Sequence, residues 1–132
     1  MKEKLNKTVL IADDDNDLLF QLKFNLENMG FDVLEAHGQK EAEDIMSENK
    51  PDLAIFDLIM ENQDSGFVLA YKIKNKHPET PVIIATAVTA ETGMVFGIES
   101  EADKNWIKAD RYIEKNLRPD QLRREVFKLL KL

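Results

Sequence analysis

The chain has 132 residues, 43% hydrophobic and 33% charged, a balance that supports one domain with a buried core and excludes a low-hydrophobicity disordered polymer. Its formal net charge of -7 disfavours nucleic acid and anionic lipid as partners, because the field of the surface repels both. Cysteine is absent, which excludes disulfides, thiol redox chemistry and thiolate metal sites and suits a reducing, cytoplasmic setting.

The charged N-terminus leads into an apolar run too short for a signal-peptide core or a membrane span, so neither export nor membrane association is expected. Residues 1–132 are expected to make a single domain, with 1–6 as a flexible N-terminus. Thr8 to Ala12 is a short apolar, β-branched run that stops at Asp13-Asp14-Asp15-Asn16-Asp17 and reads as a first strand. Leu19, Leu22, Leu26 and Met29 follow at helical spacing, with Gly30 where a left-handed stop is wanted. Phe31 to Ala36 predicts a second strand, and Gln39 to Asn49 a helix carrying Ala42, Ile45 and Met46 on one face and closed by Lys50-Pro51.

Leu53 to Phe56 is a third apolar run, ending in Asp57. After a loop to Gly66, a helix is expected to turn Phe67, Ala70 and Ile73, or Leu69 and Ile73, inward until His77-Pro78 ends it. Val82 to Ala85, stopping at Thr86, is a fourth strand, and Tyr112 to Glu114, ending at Lys115, a fifth. Between Thr86 and Ala109 a fourth helix is weakly patterned, because Gly93 and Gly97 interrupt the period. From Pro119, Leu122, Val126 and Leu129 mark a last amphipathic helix. Strands that are apolar throughout, alternating with helices, predict an α/β domain with a five-stranded parallel sheet doubly wound by helices on both faces. In such a sheet, ligands bind outside the carboxyl ends of the strands.

Asp13, Asp14, Asp57, Thr86 and Lys115 all stand at those carboxyl ends. Carboxylates gathered at one rim repel one another, a cost that a hard, oxygen-liganded divalent cation such as Mg2+ relieves. Mg2+ held by one or two carboxylates also binds phosphate oxygens. A carboxylate can take a phosphoryl group as an acyl phosphate, while a lysine ammonium and a threonine hydroxyl steady the transferred oxygens.

The runs Val9 to Asp17, Pro51 to Met60, Pro81 to Ala87 and Ala109 to Lys115 resemble the response-regulator receiver family of two-component signalling over nearly the whole chain. The resemblance implies a flavodoxin-like strand order 2-1-3-4-5 and a stand-alone receiver of the chemotaxis-protein kind. It further implies phosphorylation at Asp57, with Asp14 and Asp57 as direct Mg2+ ligands, Asp13 acting largely through water, and the Ile59 carbonyl as a backbone ligand. Thr86 and Lys115 would contact the phosphoryl group, and Tyr112 would be an aromatic switch turning inward with Thr86. The phosphodonor would be a histidine kinase or a histidine phosphotransfer protein. Output would go in trans, through the surface of the fourth helix, fifth strand and fifth helix, from a monomer or a phosphorylation-dependent homodimer.

The chain departs from the family where proline usually stands, at Glu61 and Asn116, the second bearing on the cis peptide that commonly follows the lysine. It is also longer after Asp57 and between Thr86 and Lys115. Ile59 and Val88, both β-branched, flank the line of water attack and are expected to prolong the phosphoryl state. Two other readings stand beside the first: a Mg2+-dependent phosphohydrolase with an aspartyl nucleophile, and a degenerate receiver that binds a partner without phosphorylation.

Simpler roles suit several residues. Asp15 to Asp17 read as helix caps. Calcium of the EF-hand type is disfavoured by Leu18 and Phe24 at positions where that loop demands glycine and a bidentate acid. Met94 to Phe96 and Trp106 read as buried or partner-facing residues, and His37 and His77 as surface residues. The basic residues from Lys115 to Lys131 read as the solvated face of the last helix.

Overall fold

The computed structural model describes residues 5–62, 64–86, 109–115 and 117–132. The expected fourth helix, Val88, Met94 to Phe96, Trp106 and the Lys115-Asn116 peptide lie outside the described residues, as does most of the N-terminal segment. Strands β1 (Thr8–Ala12), β2 (Asp32–Ala36), β3 (Leu53–Asp57), β4 (Val82–Thr86) and β5 (Arg111–Glu114) form one sheet in the order β2-β1-β3-β4-β5. All four neighbouring pairs are parallel. Helices α1 (Asn16–Asn28), α2 (Gln39–Glu48), α3 (Ser65–Lys76) and a C-terminal helix (Pro119–Leu130) cover it.

Burial follows position in the sheet. β3 and β4 are buried at every residue, whereas the edge strands β2 and β5 are only partly covered. Because successive side chains on a strand point to opposite faces, the apolar runs supply two cores. Leu10, Ala54, Phe56 and Ile84 pack with Ala42 and Met46 of α2 and with Phe67, Leu69 and Ile73 of α3. Val9, Ile11, Ile55 and Ile83 pack with Leu19 and Leu26 of α1 and with Leu122 and Val126 of the C-terminal helix. A sheet apolar on both faces requires this three-layer arrangement.

Local signals set the helix ends. The Asp15 carboxylate accepts hydrogen bonds from the amides of Asp17 and Leu18 and caps α1. Gly30 takes φ 104° after α1, a conformation that glycine adopts without a Cβ clash. The second strand starts at Asp32 rather than Phe31. The Phe31 amide still closes the α1 turn onto the Leu26 carbonyl, and its ring packs edge-on against Phe127 at 5.9 Å. The fifth strand starts one residue early, at Arg111, and α3 starts at Ser65, so Gly66 lies inside it. His77 is half-buried rather than on the surface, its ring nitrogen 3.4 Å from the Met46 carbonyl.

At the opposite rim from the strand ends, two acids pin the sheet. Asp52 accepts from the Thr8 amide at 2.8 Å, and Asp110 from the Val82 amide at 2.8 Å. Each also donates its own amide back to the carbonyl of the same residue. These bonds satisfy strand-entry groups that the ladder leaves open.

Candidate functional site

The register brings the candidate residues to one rim. Ala12 pairs with Phe56, Asp57 with Ala85, and Thr86 with Glu114, so the residues immediately beyond β1 and β5 meet the ends of β3 and β4. Asp13, Asp14 and Asp57 each offer a carboxylate oxygen, and these oxygens lie within 4.8 Å of one another. Asp13 and Asp57 are buried and Asp14 is exposed. The Lys115 ammonium stands among them, its Nζ 3.1 Å from Asp57 Oδ2 and 3.3 Å from Asp13 Oδ2.

Backbone bonds fix these positions. The Asp13 amide donates to the Ala36 carbonyl, the Leu58 amide to Ala85, and the Lys115 amide to Thr86 at 3.1 Å. Asp13 Oδ1 also accepts from the Asp15 amide at 2.9 Å, which orients the carboxylate at the mouth of α1. Thr86 is buried at the end of β4. Tyr112 is half-buried on the α3 side, its ring edge-on to Phe67 at 6.5 Å. The Ile59 side chain is exposed, between buried Leu58 and Met60.

Burial and the neighbouring Asp13 carboxylate push Asp57 up from 3.8 to about 6, against the opposing pull of Lys115. Lys115 is itself raised: burial works against its charge, and the carboxylates of Asp57 and Asp13 outweigh it. Burial lifts the Tyr112 phenol to about 12, so it is a neutral hydrogen-bonding group at physiological pH.

The donor set fits a divalent cation. Three carboxylates facing one ammonium leave two negative charges in the pocket, and hard carboxylate oxygens are the ligands that Mg2+ prefers.

The structure thus gathers Asp13, Asp14, Asp57 and Lys115 into one pocket and joins Thr86 to it through the Lys115 backbone. Ile59 lies in the loop beyond Asp57, and Tyr112 packs toward α3. The reading of the sequence gave no structural part to Glu61. Its carboxylate accepts from the amides of Gln39 at 2.7 Å and Lys40 at 3.2 Å, capping α2 from a different loop. The available signal was the start of α2 itself, where Gly38 brings no capping side chain.

A family model described as the response regulator receiver domain matches residues 9–127, and the chain belongs to that family.

Solved structures agree. A two-component response regulator from Clostridium difficile is 26% identical, with a TM-score of 0.79, over 96% of this chain and 97% of that one. A receiver domain from Clostridium thermocellum is 28% identical, with a TM-score of 0.77, over 95% and 94%. The response regulator TrrA from Thermotoga maritima, solved in complex with Mg(2+)-BeF, is 26% identical, with a TM-score of 0.75, over 93% and 98%. No helix among the described residues is long and apolar enough to cross a membrane.

Proposed function

We propose that this receiver domain accepts a phosphoryl group onto Asp57 from a phosphohistidine of a histidine kinase or histidine phosphotransfer protein, with Mg2+ bound beside it. It then signals to a protein partner through the surface around β5 and the C-terminal helix. The observation that carries this reading is the buried Asp57 carboxylate lying 3.1 Å from the Lys115 ammonium in a pocket of three acids.

An Asp57 oxygen forms the new O–P bond as the N–P bond of the donor breaks, and the leaving imidazole keeps the electron pair and takes up a proton. Lys115 then exchanges its pairing with the Asp57 carboxylate for pairing with an oxygen of the transferred group, and the Thr86 hydroxyl donates to another. Asp14, Asp57 and the Ile59 carbonyl would hold Mg2+, with Asp13 acting largely through water, and the bound ion would supply neutralising charge for those oxygens. The Mg(2+)-BeF bound by TrrA supports a metal of this kind in the pocket. Half-buried Tyr112, on the strand that delivers Lys115, suits a ring that follows Thr86 inward and changes the signalling surface.

Incubation with acetyl phosphate and Mg2+, followed by intact-mass measurement, tests the reading. One phosphoryl group is expected on the wild type and none on Asp57→Asn. Equal masses under conditions that label another receiver overturn the proposal, and repeated turnover of a small phosphate ester points instead to a phosphohydrolase.

A further inference from the structure

The loop after Asp57 is tied to a second loop of the same rim by a residue outside the acid pocket. At its base, the Leu58 amide donates to Ala85 and the Leu58 carbonyl accepts from Gly66. At its tip, the Glu61 carboxylate reaches across to the first turn of α2, taking the Gln39 amide on Oε1 and the Lys40 amide on Oε2. Asn62 adds a bond of 3.3 Å from its side-chain amide to Gln39 Oε1. Ile59 sits between these two anchorages.

The other end of the tie also adjoins the pocket. The chain entering α2 is Ala36-His37-Gly38, and the Ala36 carbonyl accepts the Asp13 amide. Glu61 therefore joins the segment that follows one candidate metal-holding acid to the segment hydrogen-bonded to another.

We propose that Glu61 is a positioning residue for the metal pocket: by clamping the loop after Asp57 to the first turn of α2, it sets the affinity for Mg2+ without touching the ion. This rests on the proposed metal-binding reading of the site. A loop already held near its bound shape loses less freedom when its backbone carbonyl takes a cation, and partners that orient metal-holding groups typically change affinity about 10- to 100-fold.

Gly38 provides an independent handle on the clamp. Its φ of 176° is extended backbone that alanine adopts equally well. A Cβ built there would meet Glu61 Oε2 at 2.8 Å and Oε1 at 2.9 Å. The obstructing atoms end a flexible side chain, so Gly38→Ala pushes the carboxylate off its amides while keeping its charge.

Calorimetric titration of the full chain with Mg2+ tests the proposal, alongside thermal melting and amide exchange at Gln39 and Lys40. Glu61→Ala is expected to weaken Mg2+ binding about tenfold, Gly38→Ala to weaken it in the same direction, and the double variant to be no weaker than Glu61→Ala alone. Both single variants should speed exchange at the two amides. Glu61→Gln, which keeps one acceptor oxygen, should recover most of the affinity.

Folded Glu61→Ala with wild-type Mg2+ affinity overturns the clamp, as does Glu61→Gln as weak as Glu61→Ala, which would mark the effect as one of charge alone. If the wild type itself binds no Mg2+, the metal reading of the pocket fails and takes this inference with it.

Discussion

Asp57 is a charge held against its surroundings. Its folded value of about 6 lies above the ordinary 3.8, so between those values the folded state binds more protons than the unfolded chain. Stability contributed by this group is present at the acid end of the window and is lost as pH rises through it. Lys115 is shifted in the raised direction; its stabilisation lasts until pH passes its folded value, in the alkaline range, and does not overlap the window of Asp57. With divalent ions chelated, Asp57→Asn is therefore expected to be more stable than the wild type at pH 7 to 8, by on the order of 1–3 kcal/mol. The gap should shrink as pH falls from 6 toward 4, which urea unfolding at several pH values would show. A gap constant with pH would mean that charge burial is not its cause.

At the scale of elements, the site depends on how closely α3 approaches the end of β3. Gly66, in the first turn of α3, donates its amide to the Leu58 carbonyl at 2.8 Å. A Cβ on Gly66 would lie 2.6 Å from the Asp57 carbonyl oxygen and 2.8 Å from Leu58 Cα. Both are backbone atoms with no side-chain freedom to yield, unlike the carboxylate facing Gly38. Gly66→Ala is thus expected to destabilise the fold by about 1–3 kcal/mol, as overpacking does, and to lower the rate of labelling by acetyl phosphate. Denaturant midpoints together with intact-mass time courses would register both effects.

The elements themselves were largely legible in the sequence, because apolar runs bounded by acids, Gly30, Pro51 and Pro78 announce strands and helix ends through local chemistry. The start of β2 was not, since Phe31 is a strand-favouring residue next to the ladder, yet it belongs to the core beside Phe127. Asp13, Asp14, Asp57 and Lys115 were legible because strand ends in a parallel sheet share one rim. The cap supplied by Glu61 and the strand pins of Asp52 and Asp110 were not, because each acts on backbone distant in sequence.

Over the whole molecule, the two central cores hold strands that deliver like charges to one another. A cation entering the pocket should therefore stabilise the entire fold. At a Mg2+ concentration 100 times the dissociation constant, the gain is about 2.7 kcal/mol, visible as a raised melting temperature. Because Asp57 near 6 must lose its proton to serve the ion, the rise should be full at pH 7.5 and much reduced at pH 5. Equal rises at both pH values would place the ion elsewhere.

Lys115 meets Asp13 across 102 positions of chain. During synthesis all three acids of the pocket leave the ribosome long before Lys115, which pairs with two of them. A product cut short ahead of β5 lacks the ammonium that, among the described residues, faces Asp13 and Asp57.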